Sequence, residues 1–188
     1  MKTADIRREK RIARAALSLA EQEDKSRQII EQIKRKSQFQ EAKCIFLYRA
    51  VAGEVSLEGL IEFAEAEGKK LCYPLCRAGG QMEALYPVKN RWQKGSYGIL
   101  EPVLEDSEIM DPQEIDLILM PLVAFDRNCN RVGMGAGYYD RYLLRCPQAY
   151  RLGVAFEVQY FEELEPAPWD QALDLIITED RELIGPAR

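Results

Sequence analysis

Asp116-Leu-Ile-Leu-Met-Pro-Leu-Val123 is the most apolar segment of the chain, and its reading decides the fold. A short apolar run of this kind suits a central strand buried on both faces. Working outward, similar runs occur at Cys44-Ile-Phe-Leu-Tyr48 and at Leu71-Cys-Tyr73, which Pro74 is expected to stop. Met82-Glu-Ala-Leu-Tyr86, between Gly79-Gly80 and Pro87, reads as a further strand. So do Arg151-Leu-Gly-Val-Ala-Phe156 and Ala172-Leu-Asp-Leu-Ile-Ile177.

Helical patterns alternate with these runs. Residues 4–17 place Ala4, Ile6, Ile12, Ala13, Ala16 and Leu17 at loosely helical spacing. Ser18-Leu-Ala-Glu21 has the form of a capping box and opens a second helix to about Lys36, with Ile29, Ile30 and Ile33 facing the core. The break at Leu17-Ser18 makes this pair a helical hairpin or kinked arm. Ser56 is read as the cap of a helix over 57–67 that ends at Gly68. Residues 89–113, with Gly95, Gly98, Pro102 and Pro112, read as irregular connection. The pattern predicts an α/β fold: a three-layer α/β/α arrangement with a central, mostly parallel sheet and an N-terminal helical arm. Residues 1–188 are expected to form a single domain, since no repeat, low-complexity segment or linker interrupts them.

Composition narrows the function. The chain has 188 residues, 47% hydrophobic and 30% charged, ordinary values for a soluble globular protein. No apolar run approaches the roughly 20 residues of a membrane helix, and the charged start lacks the apolar stretch of a secretory signal. A cytoplasmic location is expected. The five cysteines, Cys44, Cys72, Cys76, Cys129 and Cys146, lack zinc-type spacing. The absence of histidine excludes a Ser-His-Asp triad, a Cys-His pair and any His-ligated metal. Carboxylates, Lys/Arg, Tyr, backbone amides or a bound metal remain, which leans toward phosphoryl chemistry. A net charge of −5 argues against a general nucleic-acid binder. Residues 1–36 nevertheless hold eleven Lys/Arg against six Asp/Glu.

The chemically informative stretch is Arg131-Val-Gly-Met-Gly-Ala-Gly-Tyr-Tyr-Asp-Arg141, whose glycines recur every second residue before a helix predicted from Tyr138 to Arg145. Glycine lets a backbone approach a ligand closely. The loop amides and the unpaired N–H groups of a helix start suit phosphate oxygens. The spacing fits neither G-x-G-x-x-G nor a P-loop, so a tight structural turn and a phosphate cradle both remain open. Arg131, Tyr138, Tyr139 and Asp140 crowd cation, aromatic and carboxylate onto the same small rim.

Gly-x-Gly-x-Gly-Tyr-Tyr-Asp-Arg-Tyr-Leu, preceded by Met-Pro-Leu-Val-Ala-Phe-Asp and a short Asn-Arg turn, resembles the signature of 5-formyltetrahydrofolate cyclo-ligases. The resemblance covers nearly the full length. It includes the Arg-rich first helix, the Tyr48…Gly53-Glu54-Val55 segment, Tyr97-Gly-Ile-Leu-Glu-Pro102 and Pro168-Trp-Asp170…Leu173-Asp174. It implies ATP held by the basic start, Lys2, Thr3 and Arg7, and by the loop from Arg131 and Val132 through Gly133, Met134, Gly135, Ala136 and Gly137 to Tyr138 and Tyr139. The family spaces its N-terminal lysine and arginine four apart; Lys2 and Arg7 are five apart, with Thr3 at the matching place. Asp140 and Asp170 match positions that bind Mg²⁺, with Asp174 an alternative to Asp170. Arg49 and Glu54 fall where the family contacts folate, and Met134 through Tyr138 line the same side. Trp92, Tyr97 and Trp169 either stack on a pterin or adenine or pack as ordinary aromatics.

The implied reaction is the ATP- and Mg²⁺-dependent closure of 5-formyltetrahydrofolate to 5,10-methenyltetrahydrofolate, by phosphorylation of the formyl oxygen and attack by N10. No single catalytic side chain is marked out. The expected partners are small molecules alone, for a monomer that binds neither nucleic acid nor membrane. A non-catalytic nucleotide-binding module and a sugar-phosphate isomerase-like enzyme of related fold are the alternatives, since fold does not decide function.

Overall fold

The computed structural model describes residues 2–95 and 98–187. Its α-helices are Thr3–Ala15 (α1), Leu19–Lys34 (α2), Ser37–Glu41 (α3), Glu58–Ala66 (α4) and Tyr138–Leu143 (α5). The strands begin with Cys44–Phe46 (β1), Lys70–Cys76 (β2), Met82–Tyr86 (β3), Trp92–Lys94 (β4), Leu100–Pro102 (β5) and Glu108–Ile109 (β6). They continue with Leu117–Pro121 (β7), Ala124–Phe125 (β8), Arg131–Val132 (β9), Tyr150–Val154 (β10), Leu175–Ile177 (β11) and Glu182–Ile184 (β12).

Eight strands form one sheet in the order β12-β11-β10-β7-β1-β2-β3-β6. Its centre is parallel: β1 sets Ile45 against Leu117 of β7 and against Leu71 of β2, and β7 sets Leu119 against Leu152 of β10. The flanks are antiparallel, β12 beside β11 on one side and β3 and β6 on the other. Side chains alternate across the sheet. Ile45, Leu117 and Leu119 enter a core with Ile29, Ile30 and Ile33 of α2 and Leu60, Ile61 and Ala64 of α4. Phe46, Ile118 and Met120 enter a second core with Tyr142 and Leu143 of α5. Burying each large apolar side chain contributes about 1.5–3 kcal/mol, so central strands apolar on both faces require helices on both. The structure has the expected α/β/α layering.

The capping box at Ser18 is present: Ser18 Oγ accepts from the Glu21 amide at 3.3 Å, and Glu21 Oε2 accepts from the Ser18 amide at 2.8 Å. Four local expectations are corrected. Pro74 does not stop β2, because β1 pairs with β2 only as far as Cys72. Beyond that point β2 has β3 alone as a neighbour, and a missing N–H is tolerated. The stretch at 89–113 is not irregular throughout: β4 and β5 pair as a hairpin, with Trp92 opposite Pro102, and β6 extends the main sheet. Leu57, not Ser56, is the N-cap of α4, since the Ser56 hydroxyl lies 3.5 Å from the Glu58 amide, at the long limit of a hydrogen bond. The helix expected to reach Arg145 ends at Leu143.

Strand order reverses between β1 and β7, because the chain proceeds to β2 and β3 on one side and later to β10 and β11 on the other. Open α/β sheets bind ligands beyond the carboxyl ends of strands at such a switch point. Residues 48–54 leave β1 there, and 121–123 leave β7. α1 lies over the same region. Its only buried residues are Ile6 and Arg14, and Ile6 packs with Ala124, Val132 and Leu164. No helix among the described residues is long and apolar enough to cross a membrane.

Candidate active site

A cleft of about 1600 Å³ opens at this switch point. With the exception of Asp174, the candidates named from the sequence as ligands of ATP, folate or metal line it, from Lys2, Thr3 and Arg7 through Arg49, Glu54 and 131–140 to Asp170. Asp174 sits immediately before β11, where its carboxylate accepts the Arg151 amide of β10 at 2.7 Å. Trp92 is also outside the cleft: its ring lies edge-on to Tyr73 with centroids 4.7 Å apart, and the Arg49 guanidinium lies 4.7 Å above it. Trp169 is on the rim and 71% exposed. Tyr97 falls outside the described residues.

The glycine loop is held by a buried carboxylate. β8 and β9 form a hairpin whose turn closes on Asp126, which is fully buried. Asp126 Oδ1 accepts the amides of Asn128 and Asn130 at 2.9 and 3.0 Å, and Oδ2 accepts Asn130 Nδ2 at 2.9 Å and the Leu164 amide at 3.0 Å. The hairpin delivers residues 133–137 to the cleft, where Gly135 at φ 101° and Gly137 at φ 66° adopt conformations that favour glycine. Gly137 is the N-cap of α5 and offers no capping side chain. Arg141 then ties the loop to the turn before β3, donating to the Gly80 carbonyl at 2.8 Å and the Ala136 carbonyl at 2.6 Å.

At the base of the loop, Arg131 Nη2 donates to Asp140 Oδ1 at 2.6 Å, and Arg131 Nη1 donates to the Gln171 carbonyl at 2.5 Å. The Gln171 amide reaches the same Asp140 oxygen at 3.3 Å, while the carboxylate of Asp170, which lines the same cleft, accepts the Ala167 amide at 2.8 Å. Asp140 Oδ2 accepts no hydrogen bond among the described residues. From the other side, α1 lays Arg7 across the loop, its Nε donating to the Gly133 carbonyl at 2.8 Å.

The inner end of the cleft is different in character. Glu54 Oε2 accepts the Val51 amide at 3.1 Å in a turn that puts Ala52 at φ 50°. Such a conformation costs a non-glycine residue about 1–3 kcal/mol. Burial raises the Glu54 carboxyl above its ordinary range, opposed by the Val51 amide and by Arg14. Arg14, itself buried, donates to the carbonyls of Leu122 at 3.3 Å and Ala52 at 3.1 Å and so clamps the exits of β7 and β1 together. Burial lowers its pKa, and Glu54 opposes that shift. Tyr139 packs against Phe46 at 6.2 Å between ring centroids, and burial raises its hydroxyl's pKa, with Glu54 adding to the shift.

Sequence reasoning missed Arg11, Arg14 and Arg141, which also line the cleft, as does the segment 163–167. A signal for the first two existed. Arg7, Arg11 and Arg14 stand at i, i+4 and i+7, one face of a helix.

The family model of 5-formyltetrahydrofolate cyclo-ligases matches residues 1–179. The chain belongs to the 5-formyltetrahydrofolate cyclo-ligase family. It is therefore an enzyme of the ligase class. The cyclo-ligase of Haemophilus influenzae is 30% identical over 182 residues, 94% of this chain and 97% of its own length. Among solved structures, the 5,10-methenyltetrahydrofolate synthetase of Aquifex aeolicus superposes with a TM-score of 0.86 at 32% identity, covering 98% of this chain and 93% of its own. That of Mycoplasma pneumoniae gives 0.79 at 27% identity, covering 95% and 99%. The cyclo-ligase cleft thus combines a glycine loop flanked by arginines at its outer end with a half-buried carboxylate at its inner end.

Proposed function

We propose that this chain converts 5-formyltetrahydrofolate to 5,10-methenyltetrahydrofolate with consumption of ATP. The observation that carries the reading is the two-ended cleft. Amides of 133–137 with Arg7 and Lys2 suit a polyphosphate, while Glu54 suits the donor-rich edge of a pterin. A desolvated carboxylate gains most from donors that a ligand brings to it. Arg49 and the loop residues Met134 through Tyr138 complete the folate side, and Arg131 and Val132 anchor the loop on the ATP side.

Magnesium fits the donor set. A Mg²⁺ ion shared with phosphate oxygens and waters needs only one or two carboxylates, and Asp140 has an oxygen left over among the described residues, with Asp170 lining the same cleft. When bound, Mg²⁺ neutralises phosphate charge. The described residues contain no group of three acidic or cysteine side chains able to hold a metal alone, which suits an ion that arrives with its nucleotide.

In the proposed reaction the formyl oxygen attacks the γ-phosphorus, the bond to the bridging oxygen breaks and ADP leaves. N10 then adds to the activated carbon and gives up its proton, and phosphate departs with the former formyl oxygen and takes that proton up. The chain contributes positioning and charge stabilisation, as in other phosphoryl transfers. Arg7 and the loop amides hold the transferring group, and Glu54 and Arg49 hold the pterin so that its formyl group faces it. The test is to incubate the protein with ATP, Mg²⁺ and 5-formyltetrahydrofolate and follow methenyl absorbance with release of ADP. ATP-dependent product is expected; binding of ATP without product overturns the reading.

A further inference from the structure

α1 has a second functional face. Ala4, Arg8, Arg11 and Ala15 follow one another at i, i+4, i+7 and i+11 and border a surface groove of about 710 Å³. Leu19 and Gln22 of α2 and Ala52-Gly53 form its other wall. The groove is continuous with the cleft, because Arg7, Arg11, Arg14 and Ala52 border both.

Two features of the groove have no structural purpose in the fold. Ile12 and Leu19 are 65% and 77% exposed, large apolar side chains left in water on the walls of the same groove. Arg11 is exposed and makes no ion pair among the described residues, and Arg8 meets only the half-exposed Asp5 at 3.2 Å. The neighbouring α2 is arranged otherwise: Lys25, Arg27 and Lys34 all have a carboxylate partner, in Glu179, Asp24 and Glu31. Apolar surface followed by unneutralised cations fits a ligand that joins an aromatic ring to carboxylates.

5-Formyltetrahydrofolate carries such a group, a p-aminobenzoyl ring ending in glutamate. We infer that this groove receives that tail, with the ring against Ile12 and Leu19 and the glutamate carboxylates on Arg11, with Arg8 alongside. The inference rests on the folate reading of the cleft, since Glu54 directly follows Ala52-Gly53 at the groove's inner end. The competing use of Arg11, contact with the nucleotide's phosphates, leaves Ile12 and Leu19 without a role and has a different kinetic signature.

The experiment compares 5-formyltetrahydrofolate with its glutamate diamide, in which both tail carboxylates are capped, using the full-length protein. Wild type should prefer the dicarboxylate by about five- to tenfold in kcat/KM, the effect of a charge-assisted contact at a partly exposed site. In Arg11→Gln that preference should collapse toward unity, and in Arg11→Lys most of it should survive. Leu19→Ser should raise KM for both folates. An equal loss on the two folates in Arg11→Gln, or a loss confined to KM for ATP, overturns the inference while leaving the folate reading intact. Failure of the wild type to turn over either folate overturns that reading and the inference with it.

Discussion

Arg131 and Asp140 meet at 2.6 Å across the base of the glycine loop, the arginine side chain almost wholly buried and the carboxylate partly open. One comes from the last strand before the loop and the other from the first turn of the helix after it, so the pair clasps the loop's two ends. The clasp also holds Gln171, through an amide and a carbonyl, and thereby docks the 167–171 segment. Asp140 thus fastens the loop, and in the proposed reaction it also holds the metal; substitutions should separate the two roles.

Asp140→Asn keeps an acceptor for the Gln171 amide but leaves the Arg131 charge uncompensated. It should lower stability by about 1–2 kcal/mol, less than for a fully buried pair because Asp140 is partly solvated. It should also raise the Mg²⁺ concentration for half-maximal rate by about 10–100-fold. Arg131→Gln breaks the same clasp and should cost similar stability with no such shift. Rates measured against Mg²⁺, alongside thermal melts, check this; a wild-type Mg²⁺ curve for Asp140→Asn removes that residue from the metal site.

The glycines of the loop should divide by role. A Cβ at Gly133 meets no protein atom within 4 Å, so Gly133→Ala should melt like wild type and, if the proposed phosphate cradle is right, raise KM for ATP by filling its space. Gly135 sits at φ 101°, so Gly135→Ala should cost about 1–3 kcal/mol through the backbone itself. Differential scanning fluorimetry with ATP titration distinguishes them. Unchanged ATP affinity in Gly133→Ala would show that the loop is a structural turn.

Much of this was legible in the residues, for physical reasons. The apolar runs at 44–48 and 116–123 announce buried strands because nothing else hides apolar residues on two faces, and Ser18-x-x-Glu21 announces a helix start because its side chains satisfy orphan amides. The β4–β5 hairpin gave no comparable signal. Trp92, Gln93 and Lys94 are only partly buried or exposed, so no alternation marks them as a strand, and Pro102 hid the partner. In the cleft, residues adjacent in sequence to the glycines were found readily. Arg14 was not, because its partners, the carbonyls of Leu122 and Ala52, lie far along the chain and are indistinguishable in sequence from any others.

Asp126 illustrates the same limit and yields a prediction. In sequence it is only the last residue of the Met-Pro-Leu-Val-Ala-Phe-Asp run, yet it accepts four hydrogen bonds while fully buried. Asp126→Ala leaves the buried Leu164 amide without its acceptor, at a cost of about 1–3 kcal/mol, and also removes three hydrogen bonds from the exposed Asn128 and half-buried Asn130. A total loss of about 3 kcal/mol or more is expected by urea denaturation. Activity should fall at temperatures where the variant is still folded, because the hairpin and the 163–167 segment both lose their anchor. A loss of stability below about 1 kcal/mol would mean that the carboxylate carries little of the turn.

Glu54 should reveal itself through pH. Burial raises its carboxyl pKa, against the opposing Val51 amide and Arg14, so protonation begins at a higher pH than for an exposed glutamate. If the ionised form binds the pterin, KM for the folate should climb as pH falls, starting above the ordinary glutamate range, while KM for ATP stays level. Glu54→Gln should raise the folate KM by about 10-fold or more, the worth of a hydrogen bond to a charged group, and should abolish that acid limb. Since Arg14 faces Glu54 and holds the Ala52 carbonyl, the variant must first be shown to fold by circular dichroism. A folded Glu54→Gln enzyme that keeps the wild-type acid limb would place the titrating group elsewhere and remove Glu54 from the folate side.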